Sequence, residues 1–147
     1  PIWMYKNDYL APGYMGSIAS FGNPLVWWPG SLAMLGLIVL TIRQRGRDRV
    51  NLFVCIGFLA QFLPWVLVTR ATFIYHYFAS VPFIILALAR LMQYGAARWP
   101  RLTRWLALYL ALVALLFIAF YPVLTGLPVT SAYGTFLDWM PQWYFSY

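Results

Sequence analysis

The chain has 147 residues, 63% hydrophobic, 20% aromatic and only 9% charged, with a net charge of +7. Globular domains average about 25% charged residues, and a soluble chain of this size has too few polar groups here to cover its own surface, so a soluble domain is excluded. The arginines lie beside apolar runs rather than on one soluble face, which excludes nucleic acid as the partner of the positive charge.

The pattern is that of an all-α polytopic membrane bundle with four transmembrane spans. Residues 1–22 carry Trp3, Tyr5, Tyr9 and Tyr14 with weak apolar periodicity. They read as an interfacial segment at headgroup depth, with a short surface helix as one option. The chain begins at Pro1 with no basic n-region and short apolar core ahead of it, so we expect a piece of a longer protein rather than a signal peptide. Asn23-Pro24 then opens the first span, about 24–42, because Asn caps free helical N–H groups and Pro suits the first helical turn. Pro29-Gly30 is expected to bend its start.

The second span covers about 50–69. Cys55, the only cysteine, lies within it, so no internal disulfide forms. Gln61 is expected to find a partner on another helix or in a cavity. Pro64 is expected to kink the outer end. A very short turn at Arg70 leads into the third span, about 72–91, with a kink expected at Pro82. The fourth, about 102–121, should break at Pro122, and Ala107 with Ala111 form a small-residue pair suited to close helix packing. Residues 125–147 form a second aromatic, interfacial tail.

Orientation follows from arginine. Residues 43–49 hold four arginines and 90–104 another four, whereas the opposite side holds Lys6 and Arg70 against Asp8 and Asp138. The positive-inside rule places both Arg-rich loops in the cytoplasm and both termini on the outer or lumenal side. The Arg-rich clusters read as topology anchors on anionic headgroups.

Polar chemistry collects at one place, Arg70 to Ser80, which holds the only histidine. Arg70 has two readings: a contact to a lipid phosphate, for which the planar guanidinium is suited, or a snorkelling helix-end arginine. Helical spacing puts Phe73, His76, Tyr77 and Ser80 on one face. His76 can donate to a phosphate there, although a lone histidine is more often a structural one. Tyr75, Tyr77, Trp27, Trp28 and Trp65 either line a sugar or prenyl pocket or form an aromatic belt. Asp8 and Asp138 lack any surrounding motif for a general base. No zinc spacing, P-loop or nucleophile elbow occurs, and nothing demands a metal or other cofactor.

Several stretches taken together are similar to a known family. They are Pro1-Ile2-Trp3, Gly22-Asn23-Pro24-Leu25-Val26-Trp27-Trp28, Arg70-Ala71-Thr72-Phe73-Ile74-Tyr75-His76-Tyr77-Phe78 with Pro82-Phe83, and Trp139 with Trp143-Tyr144-Phe145. The chain resembles the C-terminal four-span domain of protein O-mannosyltransferases of the GT-C class. The resemblance implies transfer of mannose from a polyprenyl- or dolichyl-phosphate carrier to Ser or Thr of exported polypeptides. It implies a bacterial plasma membrane location, or the endoplasmic reticulum in a eukaryote. It further implies a catalytic acidic pair upstream, in spans of the same enzyme not contained here, so no catalytic residue is expected in this chain and no activity from it alone. Arg70, His76, Tyr75 and Tyr77 would then help hold the carrier phosphate or the acceptor region. The alternatives are another GT-C transferase using a lipid-phosphate sugar, or a non-catalytic assembly or transport module, for which the sparse mid-span polar groups argue poorly.

Overall fold

A computed structural model describes residues 3–7, 10–20, 22–69 and 74–139, with side chains from residue 10 onward except 74 and 75. Its elements in order are β1 (Trp3–Asn7), β2 (Tyr14–Ser20), α1 (Pro24–Arg43), α2 (Arg49–Val66), α3 (Ile74–Phe78), α4 (Val81–Arg98), α5 (Leu102–Thr125), β3 (Val129–Thr130) and α6 (Ser131–Leu137). Four helical stretches are long and apolar enough to cross a bilayer: Pro24–Arg43, Arg49–Val66, His76–Arg98 and Leu102–Thr125. Contacts divide the chain into two compact units, Gly22–Val113 and the combination of Pro1–Phe21 with Ala114–Tyr147.

In the first unit, Met34 and Leu37 of α1, Val54 of α2 and Ile84 and Ala87 of α4 are buried together. Glycines set the close approaches. A Cβ at Gly30 would lie 3.3 Å from the Ile84 carbonyl oxygen, and one at Gly57 would sit 2.2 Å from the Phe83 ring. Small residues let membrane helices pack this way. The expected small pair does not: Ala107 and Ala111 are exposed. Gln61 is exposed too, and makes no hydrogen bond to a described residue.

The prolines act through the carbonyls they free. Helix α1 runs unbroken past Pro29. Pro29 has no N–H for the Leu25 carbonyl four residues back, and the Tyr109 hydroxyl of α5 donates to that oxygen instead. Asn23 works at the same helix end: its Oδ1 accepts from Leu25 N–H at 3.0 Å, and its Nδ2 donates to the Val113 carbonyl at 3.0 Å. Pro82 does not bend a continuous helix; the third span, His76–Arg98, breaks just ahead of it. Pro82 lies in the first turn of α4, after a turn at Ala79-Ser80 that separates α3 from α4, where a missing N–H costs little. Nor does Pro122 end α5, which continues to Thr125. The stop is Gly126, at φ +80°, with the Leu127 N–H returning to the Pro122 carbonyl at 3.1 Å. A left-handed glycine with this long return bond is a Schellman cap.

The second unit replaces the helix option for residues 1–22 with strands. In place of the surface helix offered as an option, β1 and β2 pair antiparallel from Trp3 opposite Ser20 to Asn7 opposite Gly16. The turn uses Gly13 at φ +87°, and Tyr14 N–H donates to the Ala11 carbonyl at 3.0 Å. Along β2, Met15, Ser17 and Ala19 are buried while Tyr14 and Ile18 are exposed, the alternation of a half-buried strand, interrupted at Gly16, which is buried as well. Tyr14 and Met15 pair with β3, and Met15 and Ala19 pack on Phe120, Val123 and Leu137. The fold is thus mostly helical, with one small three-stranded sheet ordered β1-β2-β3.

Candidate functional site

Two clusters stand at opposite ends of the helices of the first unit. One is aromatic and built around α3. The Tyr77 ring is wedged between Trp27 of α1, with centroids 5.3 Å apart, and Phe62 of α2, at 6.0 Å edge-on. Phe62 in turn stacks on Phe58 at 5.2 Å. Beside them the His76 ring lies 4.1 Å from the Trp65 ring, tilted by 51°. The Trp27 indole rests against Gly22, where any Cβ would meet it at 1.9 Å. Glycine at 22 is therefore a condition for the indole's place. After α3 the chain turns, with Ser80 N–H donating to the Tyr77 carbonyl at 2.9 Å. The Ser80 hydroxyl is fully buried and bonds to no described residue.

The structure thus pairs His76 with Trp65 and Tyr77 with Trp27. Trp28 is 52% exposed and stands apart from these contacts, as a belt residue does. Arg70 and Phe73 lie outside the described residues. Tyr75 is in α3, and its side chain is not described. An imidazole and a phenol held by aromatic faces can present hydrogen-bond donors at a low-dielectric edge, where such bonds gain strength.

The other cluster is polar, and the sequence reading missed it. Asp48 caps α2, its Oδ1 accepting from the Val50 and Asn51 N–H groups at 3.0 and 3.1 Å. Its Oδ2 accepts from Arg90 Nη2 and from the Tyr94 hydroxyl, each at 2.7 Å. The side chain of Asn51, fully buried, accepts from Arg90 Nε at 3.1 Å and donates to the Tyr94 hydroxyl at 2.9 Å. The Arg90 guanidinium also lies 4.8 Å from the centre of the Tyr94 ring, within cation–π range. The four side chains clamp the start of α2 to the end of α4. The one sequence signal was the Arg90/Tyr94 spacing of four on a helix.

The Tyr94 hydroxyl, the Asn51 backbone N–H and Arg90 together lower the Asp48 pKa from 3.8 to about 2. A carboxylate whose folded pKa is depressed stabilises the fold above its unfolded pKa and loses that contribution as pH falls through the folded one. The difference in thermal stability between wild type and Asp48→Asn should therefore be constant above pH 4 and shrink between pH 4 and 2. A thermal-unfolding series in detergent over that window checks it, and a difference unchanged down to pH 2 would refute it.

Four apolar helices, with arginine-rich turns after α1 and α4, define a multi-pass, helical integral membrane domain. The model of the C-terminal four TMM region of protein-O-mannosyltransferase matches residues 14–143, and the chain belongs to that family. It is 31% identical over 131 residues to a polyprenol-phosphate-mannose–protein mannosyltransferase of Corynebacterium glutamicum, covering 84% of this chain and 25% of that protein. The proteins of the same description from Mycolicibacterium smegmatis (31% identity, 83% of this chain, 25% of theirs) and Mycobacterium tuberculosis (30%, 83% and 24%) are similar to it as well. The chain spans about a quarter of the length of these relatives.

Proposed function

We propose that this chain is the C-terminal membrane domain of an enzyme that moves mannose from a polyprenyl-phosphate carrier to Ser or Thr of exported polypeptides. In this reading the aromatic cluster forms part of the wall of the carrier site. The carrying observation is the seating of His76 and Tyr77 against Trp65 and Trp27 at one end of the spans. Arg70, three residues beyond Leu67 at the C-cap of α2, supplies the cation. His76, Tyr75 and Tyr77 supply further donors. As the glycosidic bond breaks, negative charge collects on the departing polyprenyl phosphate, and fixed donors there lower the barrier. The acidic groups acting on the acceptor hydroxyl are assigned to upstream spans of the same enzyme. The termini and the α2–α3 turn face the outer side in this reading, and the arginine-rich turns face the cytoplasm.

The test is a donor titration on the full-length enzyme. His76→Ala should raise the KM for polyprenyl-phosphate-mannose by about tenfold, the range of a hydrogen bond to a charged group. Trp65→Ala should move it in the same direction by loosening the imidazole. Wild-type KM and kcat in both variants would remove His76 from the carrier site.

A further inference from the structure

At the arginine-rich end, remote from α3, the turn between α4 and α5 borders an open cavity of about 650 Å3 lined by Pro100, Arg101, Arg104, Trp105 and Leu108. The residues fall on one stripe. Arg101, Arg104 with Trp105, and Leu108 follow at spacings of three or four, which stack on one helical face. From Arg104 to Leu108 the helix rises by about 6 Å. The stripe therefore passes from two cations, through an indole, to aliphatic surface within about the depth of a lipid headgroup and its glycerol. Leu108 and Leu112 carry the aliphatic surface onward, 48% and 46% exposed.

Both arginines are exposed and open to a ligand. Among the described residues neither Arg101 nor Arg104 has an ion-pair partner. The described carboxylate at this end, Asp48, is engaged by Arg90 and Tyr94. Two planar forks can hold phosphate oxygens through paired N–H bonds.

We infer that this cavity binds the headgroup of one anionic phospholipid from the leaflet at the arginine-rich end, with Arg101 and Arg104 on the phosphate, Trp105 at the glycerol level and Leu108 along an acyl chain. Apolar lining below the cations favours a lipid over a free phosphate ion. The site is distinct from the α1–α2 turn, where Arg43, Arg45, Arg47 and Arg49 sit in loop and helix-end positions and attract anionic lipid only diffusely.

Native mass spectrometry of the full-length enzyme, titrated with phosphatidylglycerol against phosphatidylcholine in detergent, tests the inference. Arg101→Ala/Arg104→Ala should weaken retention of one phosphatidylglycerol by about 30-fold, at roughly a factor of five per cation near the surface. The charge-matched Arg43→Ala/Arg45→Ala should keep that lipid. Equal losses in both variants would show a diffuse field and overturn the site, as would no loss in the first. Inorganic phosphate displacing the lipid at millimolar concentration would overturn the lipid assignment in favour of a free anion. Should the double alanine variant fail to fold, Trp105→Ala and Arg101→Lys/Arg104→Lys take its place. Each should weaken the same lipid measurably, and wild-type retention in both would overturn the proposal.

Discussion

Alanine at Arg70 in the full-length enzyme should lower kcat for mannosyl transfer by about 10²–10³-fold, the loss typical of one preorganised donor to developing negative charge. Arg70 is the only arginine or lysine from Val50 to Ala89, and it falls in the short stretch between Val66, which ends α2, and Ile74, which starts α3. A phosphate leaving group needs its charge met in a water-poor place, where a fixed cation acts with little screening. Lysine at 70 should recover part of the rate, restoring the charge without the planar fork. Unchanged turnover in Arg70→Ala, measured with saturating donor, would falsify the carrier-phosphate role and return Arg70 to a headgroup anchor.

The second large effect is structural. Asn51→Ala should destabilise the domain by about 2 kcal/mol, since it removes hydrogen bonds to two half-buried partners, each contributing roughly 1 kcal/mol. Those partners are Arg90 Nε and the Tyr94 hydroxyl. Tyr94→Phe should cost less, because the ring stays beneath the Arg90 guanidinium and only the hydroxyl is lost. Thermal unfolding in detergent orders the two. A smaller loss for Asn51→Ala than for Tyr94→Phe would contradict the central place of Asn51 in the clamp.

The spans were legible because lipid imposes one simple demand: apolar side chains outward and every backbone group bonded within its own helix. Runs such as Leu25 to Ile42, closed by Arg43, announce themselves. The prolines were not, because the cost of a missing N–H depends on what else reaches the freed carbonyl. Only the fold reveals that Tyr109 serves Leu25. The sheet was hidden for a related reason. Its alternation along β2 mixes Met15 and Ala19 with Ser17, whose hydroxyl donates to the Val123 carbonyl 106 residues away at 3.2 Å, and no local period carries that bond. The clamp joins residues 39 to 46 apart. At the aromatic end, the cluster of chemically capable residues around His76 could be read from the sequence, whereas the choice of Trp65 and Trp27 over Trp28 as ring partners could not.

The capture of Asp48 by Arg90 also bears on how the domain is held across a charged membrane. Eight arginines less Asp48 leave seven positive charges in and beside the α1–α2 and α4–α5 turns, which the clamp holds at one end of the first unit. In the proposed orientation that end faces the cytoplasm. Across a potential of 100 mV, negative inside, each charge differs by about 2.3 kcal/mol between the two faces. Seven of them separate the upright from the inverted insertion by about 16 kcal/mol. In that orientation the voltage of a living cell acts on the arginine-rich end of the domain as a latch.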